Sequence, residues 1–264
     1  MTPVEVVRGT GPVILGMPHG GTFLPAEVAA RLNARGRELA DTDWHIDALY
    51  AGLLPGASVV RATFHRYVID ANRPPDGASL YPGQNTTGLI PETDFDGQPI
   101  WEAPPGPADA AARRAAFHAP YHAALAAEIA RVRAAHGVAI LWDCHSIRSH
   151  IPFLFAGRLP DFNIGTADGT SCDARITAAV QDACAGAAGF AQVTNGRFKG
   201  GWTTRHYGRP AEGVHAIQME IAQSAYLASE AAPFAFSPER AARIRPVLAD
   251  ALARLAALAP DLKG

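Results

Sequence analysis

Residues 138–146 read VAILWDCHS, and this stretch decides the fold class. Five apolar residues, Val138 to Trp142, run directly into Asp143, Cys144, His145 and Ser146. A short continuous apolar run reads as a strand buried on both faces, the pattern of a parallel sheet between two helical layers. The four groups at its end each need a partner, because an unpaired buried polar group costs about 1–3 kcal/mol. In parallel α/β sheets the carboxyl ends of the strands share one edge, where ligands collect. Adjacent strand residues point to opposite faces, so Cys144 and His145 do not make a nucleophile–base dyad.

Two similar runs lie outward from it. Residues 12–17 (PVILGM) end at Pro18-His19-Gly20-Gly21, and residues 214–221 (VHAIQMEI) carry Glu220 near their end. Further strands are expected at 57–63, 67–70, 153–156 and 161–166. Helices are expected at 25–35, from Asp41 or Thr42 through Tyr50, at 108–136, at 172–187, and from the Ser237 cap and Pro238 to about Leu258. Pro120 should kink or divide the helix over 108–136, and Gly137 should stop it. Residues 72–107, rich in Pro, Gly, Asp and Asn, read as an ordered irregular excursion packed on the surface, and 196–208 as a glycine-rich loop. Strands alternating with helices predict an α/β chain: one domain over 1–264, a three-layer sandwich around a mixed, mostly parallel sheet.

Composition narrows the function classes. The 264 residues are 48% hydrophobic, enough for a sizeable core. Basic and acidic residues number 23 and 25, with no long basic run, so nucleic acid is not an expected partner. No apolar run approaches the roughly 20 residues that span a bilayer, and the N-terminus lacks the pattern of a signal peptide. Three widely spaced cysteines exclude a disulfide scaffold and a thiolate zinc site. The expectation is a cytoplasmic protein without membrane partners.

His19, His145 and Glu220 all fall at strand ends and are expected to converge. Imidazole nitrogens and carboxylate oxygens are the usual ligands of a catalytic zinc, and a nearby carboxylate can take a proton from water. Each has a structural alternative: a hydrogen-bonded core histidine, or a Glu220 paired with an arginine. Asp43 and Asp47 lie four apart on an expected helix and share a face, with capping as their alternative role. Arg66, the Asn72-Arg73 pair stiffened by Pro74-Pro75, and Arg205 beside His206 point to a small anionic substrate, since arginine binds carboxylates through two parallel bonds. The alternative is a set of surface arginines.

The stretches MPHGGT, DTDWHIDALY, HRYVIDANRPPDGASLYPGQNTTGL, DCHSI and IQMEIAQSAY, in this order over roughly residues 12–226, resemble the N-formylglutamate amidohydrolase family. The resemblance implies hydrolysis of N-formyl-L-glutamate to formate and L-glutamate, in histidine degradation, in the cytoplasm, with one divalent metal, zinc first among them. A more distant similarity to zinc carboxypeptidases and aspartoacylase-like enzymes implies a phosphorylase/hydrolase-like fold. It also implies His19 and His145 as metal ligands, Asn72 and Arg73 as substrate contacts, and Glu220 as the catalytic base. Where those enzymes carry a glutamate ligand this chain has Thr22. Asp43 is the choice for the vacant ligand, with His45 and Asp47 as fallbacks. Arg66 and Arg205 are further substrate contacts, and His206 or His215 the alternative proton carriers.

Overall fold

The computed structural model describes residues 2–262. Its frame is one sheet of seven strands: β1 (Val4–Val7), β2 (Val13–Met17), β3 (Ser58–Ala62), β4 (Ala139–Ile147), β5 (Phe162–Gly165), β6 (Gln192–Thr194) and β7 (Val214–Ala222). Their spatial order is β1-β3-β2-β4-β7-β5-β6. The central four, β3, β2, β4 and β7, are mutually parallel. β1 at one edge runs antiparallel to β3, and β5 runs antiparallel to β7, with β6 parallel to β5. The sheet is therefore mixed and mostly parallel.

Strand alternation assigns each face its own core. Val13, Leu15 and Met17 of β2 and Ile140, Trp142 and Cys144 of β4 pack on one face, with residues of α3 (Ile46–Tyr50), α6 (Ala174–Ala185) and α8 (Pro238–Leu258). Ile14, Ala139, Leu141 and Ala216 point the other way, against Tyr121, Leu125, Ile129 and Val132 of the long helix. Helices thus cover both faces, the three-layer arrangement expected. On the second face the apolar packing stops at Leu141 and Ala216. Asp143 and His145 of β4, with Gln218 and Glu220 of β7, follow on the same face, and the parallel register sets His145 beside Glu220. Cys144 is buried on the opposite side, where burial pushes its thiol pKa well up.

Several elements depart from expectation. The 25–35 helix is two short ones, α1 (Ala26–Ala29) and α2 (Ala34–Arg37). Between them the chain bends to pair with the irregular excursion: Asn33 N–H donates to Ile100 O at 3.0 Å, and the Asn33 side chain caps α2 through Gly36 N. The segment at Asp41 becomes helical only at Ile46, so Asp43 lies in the preceding turn rather than on a shared helical face with Asp47. Residues 67–70 and 153–156 are turns, closed by Val68 N–H to His65 O (2.9 Å) and Leu154 N–H to Ile151 O (2.9 Å).

The 108–136 region is continuous. α4 (Pro107–Arg113) passes through a π-helical turn, Arg114–His118, into α5 (Ala119–His136). The wider turn lies just upstream of Pro120, where the proline ring would otherwise press on the carbonyl four residues back. Finally, 196–208 contains a helix, α7 (Trp202–Tyr207). It is short and carries two β-branched residues, and it is held from outside: Asn72 Oδ1 accepts from Thr203 N at 2.8 Å, and Thr204 Oγ1 donates to Asp143 at 2.9 Å.

Candidate active site

Three residues far apart in sequence meet at the strand ends. His19 comes from the turn after β2, Asp43 from the turn before α3, and His145 from within β4 rather than after it. One ligand atom from each lies within 4.8 Å of the others, and all three side chains are buried. The Nδ1 atoms of His19 and His145 are 3.2 Å apart, and Asp43 Oδ2 is 3.3 Å from His145 Nδ1 and 3.9 Å from His19 Nδ1. His45 and Asp47, the fallback ligands, are elsewhere. His45 Nε2 contacts Phe234 O at 3.0 Å, and Asp47 is exposed and paired with Arg61 at 2.8 Å.

The surroundings suit a metal ion. His19 Nε2 lies 2.7 Å from Asp70 Oδ1, and an ionised carboxylate only accepts, so the ring proton sits on Nε2. Burial and the nearby Arg66 charge pull the His19 pKa down to about 4, leaving a neutral ring whose Nδ1 lone pair faces the cluster. At His145 the far nitrogen is 3.1 Å from Asp143 Oδ1, a buried oxygen with no hydrogen-bond partner among the described residues. Asp143 Oδ1 thus sits behind the His145 ring as Asp70 sits behind that of His19. A carboxylate behind each ligating histidine is the usual outer shell of such sites. Burial opposes charge on His145, yet Asp143, Asp43 and Glu220 outweigh it and raise its pKa well above the ordinary value. Asp43 is held by Arg66 Nη2 at 2.8 Å and by Ser146 N at 3.1 Å. Burial alone would raise its pKa; the His145 contact and the Arg66 charge outweigh this and hold it below the usual carboxylate range.

A pocket of about 590 Å³, counting its open mouth, leads to this group. Glu220 lines it, accepts from Gln218 Nε2 at 3.1 Å, and has its pKa pushed up to about 7, mainly by burial. Arg66, Asn72 and Arg73 also line it. Arg73 is heavily engaged: Nε donates to Thr87 O at 2.8 Å, Nη1 to Asn72 O at 3.0 Å and Nη2 to Thr87 Oγ1 at 3.1 Å. Asn72 Nδ2 lies 3.1 Å from His145 Nε2. Arg205 is not among the lining residues: its guanidinium lies over the Tyr81 ring and donates to Gly200 O. His206 is exposed and stacks on Trp202, and His215 sits at the start of β7, accepting from Asp173 N; neither lines the pocket.

Sequence reasoning passed over Asp70, Gln218, Thr204 and Arg197. Asp70 left one signal, an acid set between Ile69 and Ala71 in an otherwise apolar run. Arg197 left another, a cation beside Phe198 in a glycine-rich stretch.

Hydrolases that use an activated water need ligands for an electrophile, a base beside them and a pocket reaching both. The strand ends of this sheet bring these together, which puts the chain among the α/β hydrolytic enzymes. Within that class it belongs to the N-formylglutamate amidohydrolase family, whose model matches residues 11–227. It is 49% identical to an N-formylglutamate deformylase of Pseudomonas aeruginosa, over 95% of this chain and 94% of that one. A Pseudomonas putida protein of the same name is 47% identical, over 95% and 94%. A crystal structure of an N-formylglutamate amidohydrolase from Ralstonia eutropha JMP134 superposes with a TM-score of 0.81 at 26% identity, covering 97% of this chain and 98% of that one.

Proposed function

We propose that this chain hydrolyses N-formyl-L-glutamate to formate and L-glutamate, using one divalent metal held by His19, Asp43 and His145. The observation that carries the reading is the convergence of that buried group with Glu220 in one arginine-lined pocket. The two Pseudomonas deformylases, matched over nearly their whole length, support the choice of substrate. Two imidazoles and a carboxylate suit zinc first, with cobalt, nickel, manganese and iron compatible with the same donors. The reaction belongs to histidine degradation in the cytoplasm, as the family resemblance implies. Consistent with a protein that does not cross a bilayer by a helix, no helix among the described residues is long and apolar enough to do so.

When bound, the cation supplies Lewis acidity to the formyl carbonyl and lowers the pKa of water. The rest falls to the chain. Asp70 and Asp143 orient the two imidazoles, and Arg66 holds Asp43. Glu220 takes the proton from the attacking water and delivers it to the departing amine nitrogen as the C–N bond breaks. Asn72, Arg66 and Arg73 set the orientation of the anionic substrate at the lining. The test is formate release from N-formylglutamate by metal-loaded and chelator-treated protein. Release that stops on chelation and returns with metal is expected. Release unaffected by chelation, or absent throughout, overturns the reading.

A further inference from the structure

We infer that Arg197 is the residue that selects a substrate with a carboxylate at the far end of its side chain, an assignment that rests on the proposed formylglutamate activity. Three arginines line the pocket, and they differ in what balances them. Arg66 is paired with Asp43 at 2.8 Å and lies 3.9 Å from Asp70; Arg73 lies 3.7 Å from Asp70. Arg197 has no carboxylate within 4.0 Å among the described residues. Its Nε donates to Leu154 O at 2.9 Å and its Nη2 to Asn85 O at 2.8 Å. Both partners are neutral carbonyls, so its charge is left for a ligand. Nη1 has no hydrogen-bond partner among the described residues.

The guanidinium is also held in place. It lies 5.7 Å from the centre of the Tyr81 ring and 5.3 Å from that of Phe198. Fixing a planar fork on two rings and two carbonyls removes much of the ordering cost of binding a carboxylate. Burial, with the Arg73 charge adding to it, lowers the Arg197 pKa. Leu154, Phe198 and Tyr81 line the same pocket and give apolar surface to a short methylene chain. Among the described residues, the one acidic side chain in the lining, Glu220, belongs with the histidines. A formyl amino acid whose formamide meets Glu220 and whose distal carboxylate meets Arg197 satisfies both ends.

The test compares N-formylglutamate with N-formylglutamine, which replaces only the distal carboxylate by a neutral amide. Two variants remove the charge in different ways: Arg197→Gln keeps amide donors, and Arg197→Met keeps a stem against the rings. In either folded variant kcat/KM for formylglutamate should fall about 10–100-fold more than kcat/KM for formylglutamine, the worth of one charge-assisted hydrogen bond. Equal falls for both substrates mean that Arg197 only braces the Leu154 and Asn85 loops, and overturn the assignment. So does a selectivity that survives both variants in an enzyme that prefers formylglutamate. A wild-type protein that releases formate from neither compound overturns the proposed function and this assignment together.

Discussion

At the residue scale, Glu220 as the proposed base decides the pH behaviour. Its carboxyl sits at about 7 because burial penalises the charged form. A base works only when deprotonated, so kcat/KM should fall as pH drops through the Glu220 pKa. A bound cation favours the carboxylate, which places the acid limb at or below 7 in the loaded enzyme. Glu220→Gln should lose kcat by about 10²–10⁴-fold and lose that limb, with metal content unchanged. Formate release across pH 5–9, together with metal analysis of both proteins, measures this. A glutamine variant within about threefold of wild type, alongside a dead His206 or His215 variant, would give the base role to histidine. The positions of those histidines outside the pocket argue against that outcome.

At the element scale, the helix ends show local chemistry that sequence can read. Ser237 caps α8 by accepting from Arg240 N at 3.2 Å, as its Ser-Pro-Glu signature indicates. Asp173 caps α6 by accepting from Arg175 N at 2.8 Å. Hydrogen bonds from the Arg175 side chain and backbone hold the Asp173 carboxyl down to about 2. That is below the value near 3.9 of an unfolded aspartate, so its contribution is present above about pH 4 and is lost as pH falls towards 2. Asp173→Ala should cost about 1 kcal/mol at pH 7, most of it from the cap, because the exposed ion pair is screened by solvent. Urea unfolding of both proteins at pH 7 and pH 3 should show the gap narrowing at the lower pH. An equal gap at both would assign the effect to something other than the ionised cap.

α7 was not legible by the same means, because its support is tertiary. His122 Nε2 donates to Ala71 O at 2.8 Å, His118 Nε2 donates to Arg73 O at 3.0 Å, and both rings pack near Trp202. These contacts tie the long helix, the Asn72-Arg73 turn and α7 together across more than 80 residues of sequence. No window along the chain contains them.

At the scale of the whole molecule, the proposed metal ligands join three separate segments, so a bound ion should stabilise the fold as well as serve the reaction. A ligand at 100 times its Kd adds about 2.7 kcal/mol, which for a chain of this size corresponds to a Tm rise of about 5–10 °C. Zinc added to metal-free protein should produce that rise, and His145→Ala should remove it. An equal rise in the alanine variant would move the metal away from this group.

The sequence by itself determined the frame. Apolar runs ending in His19, in Asp143-Cys144-His145 and at Glu220 dictated central parallel strands and placed three chemical groups at one edge, because strand burial and side-chain alternation repeat over two residues and are written locally. Alternation alone also separated Cys144 from His145. The tertiary structure decided the rest. It reversed β5 against β7, made turns of 67–70 and 153–156, put Asp43 rather than His45 or Asp47 beside the histidines, and supplied Asp70 and Asp143 behind them. It also turned Arg205 onto the Tyr81 ring and set Arg197 in the pocket wall. Each of these depends on which distant segment a side chain meets, and that is fixed by packing and by the need to pair every buried charge, not by any spacing along the chain.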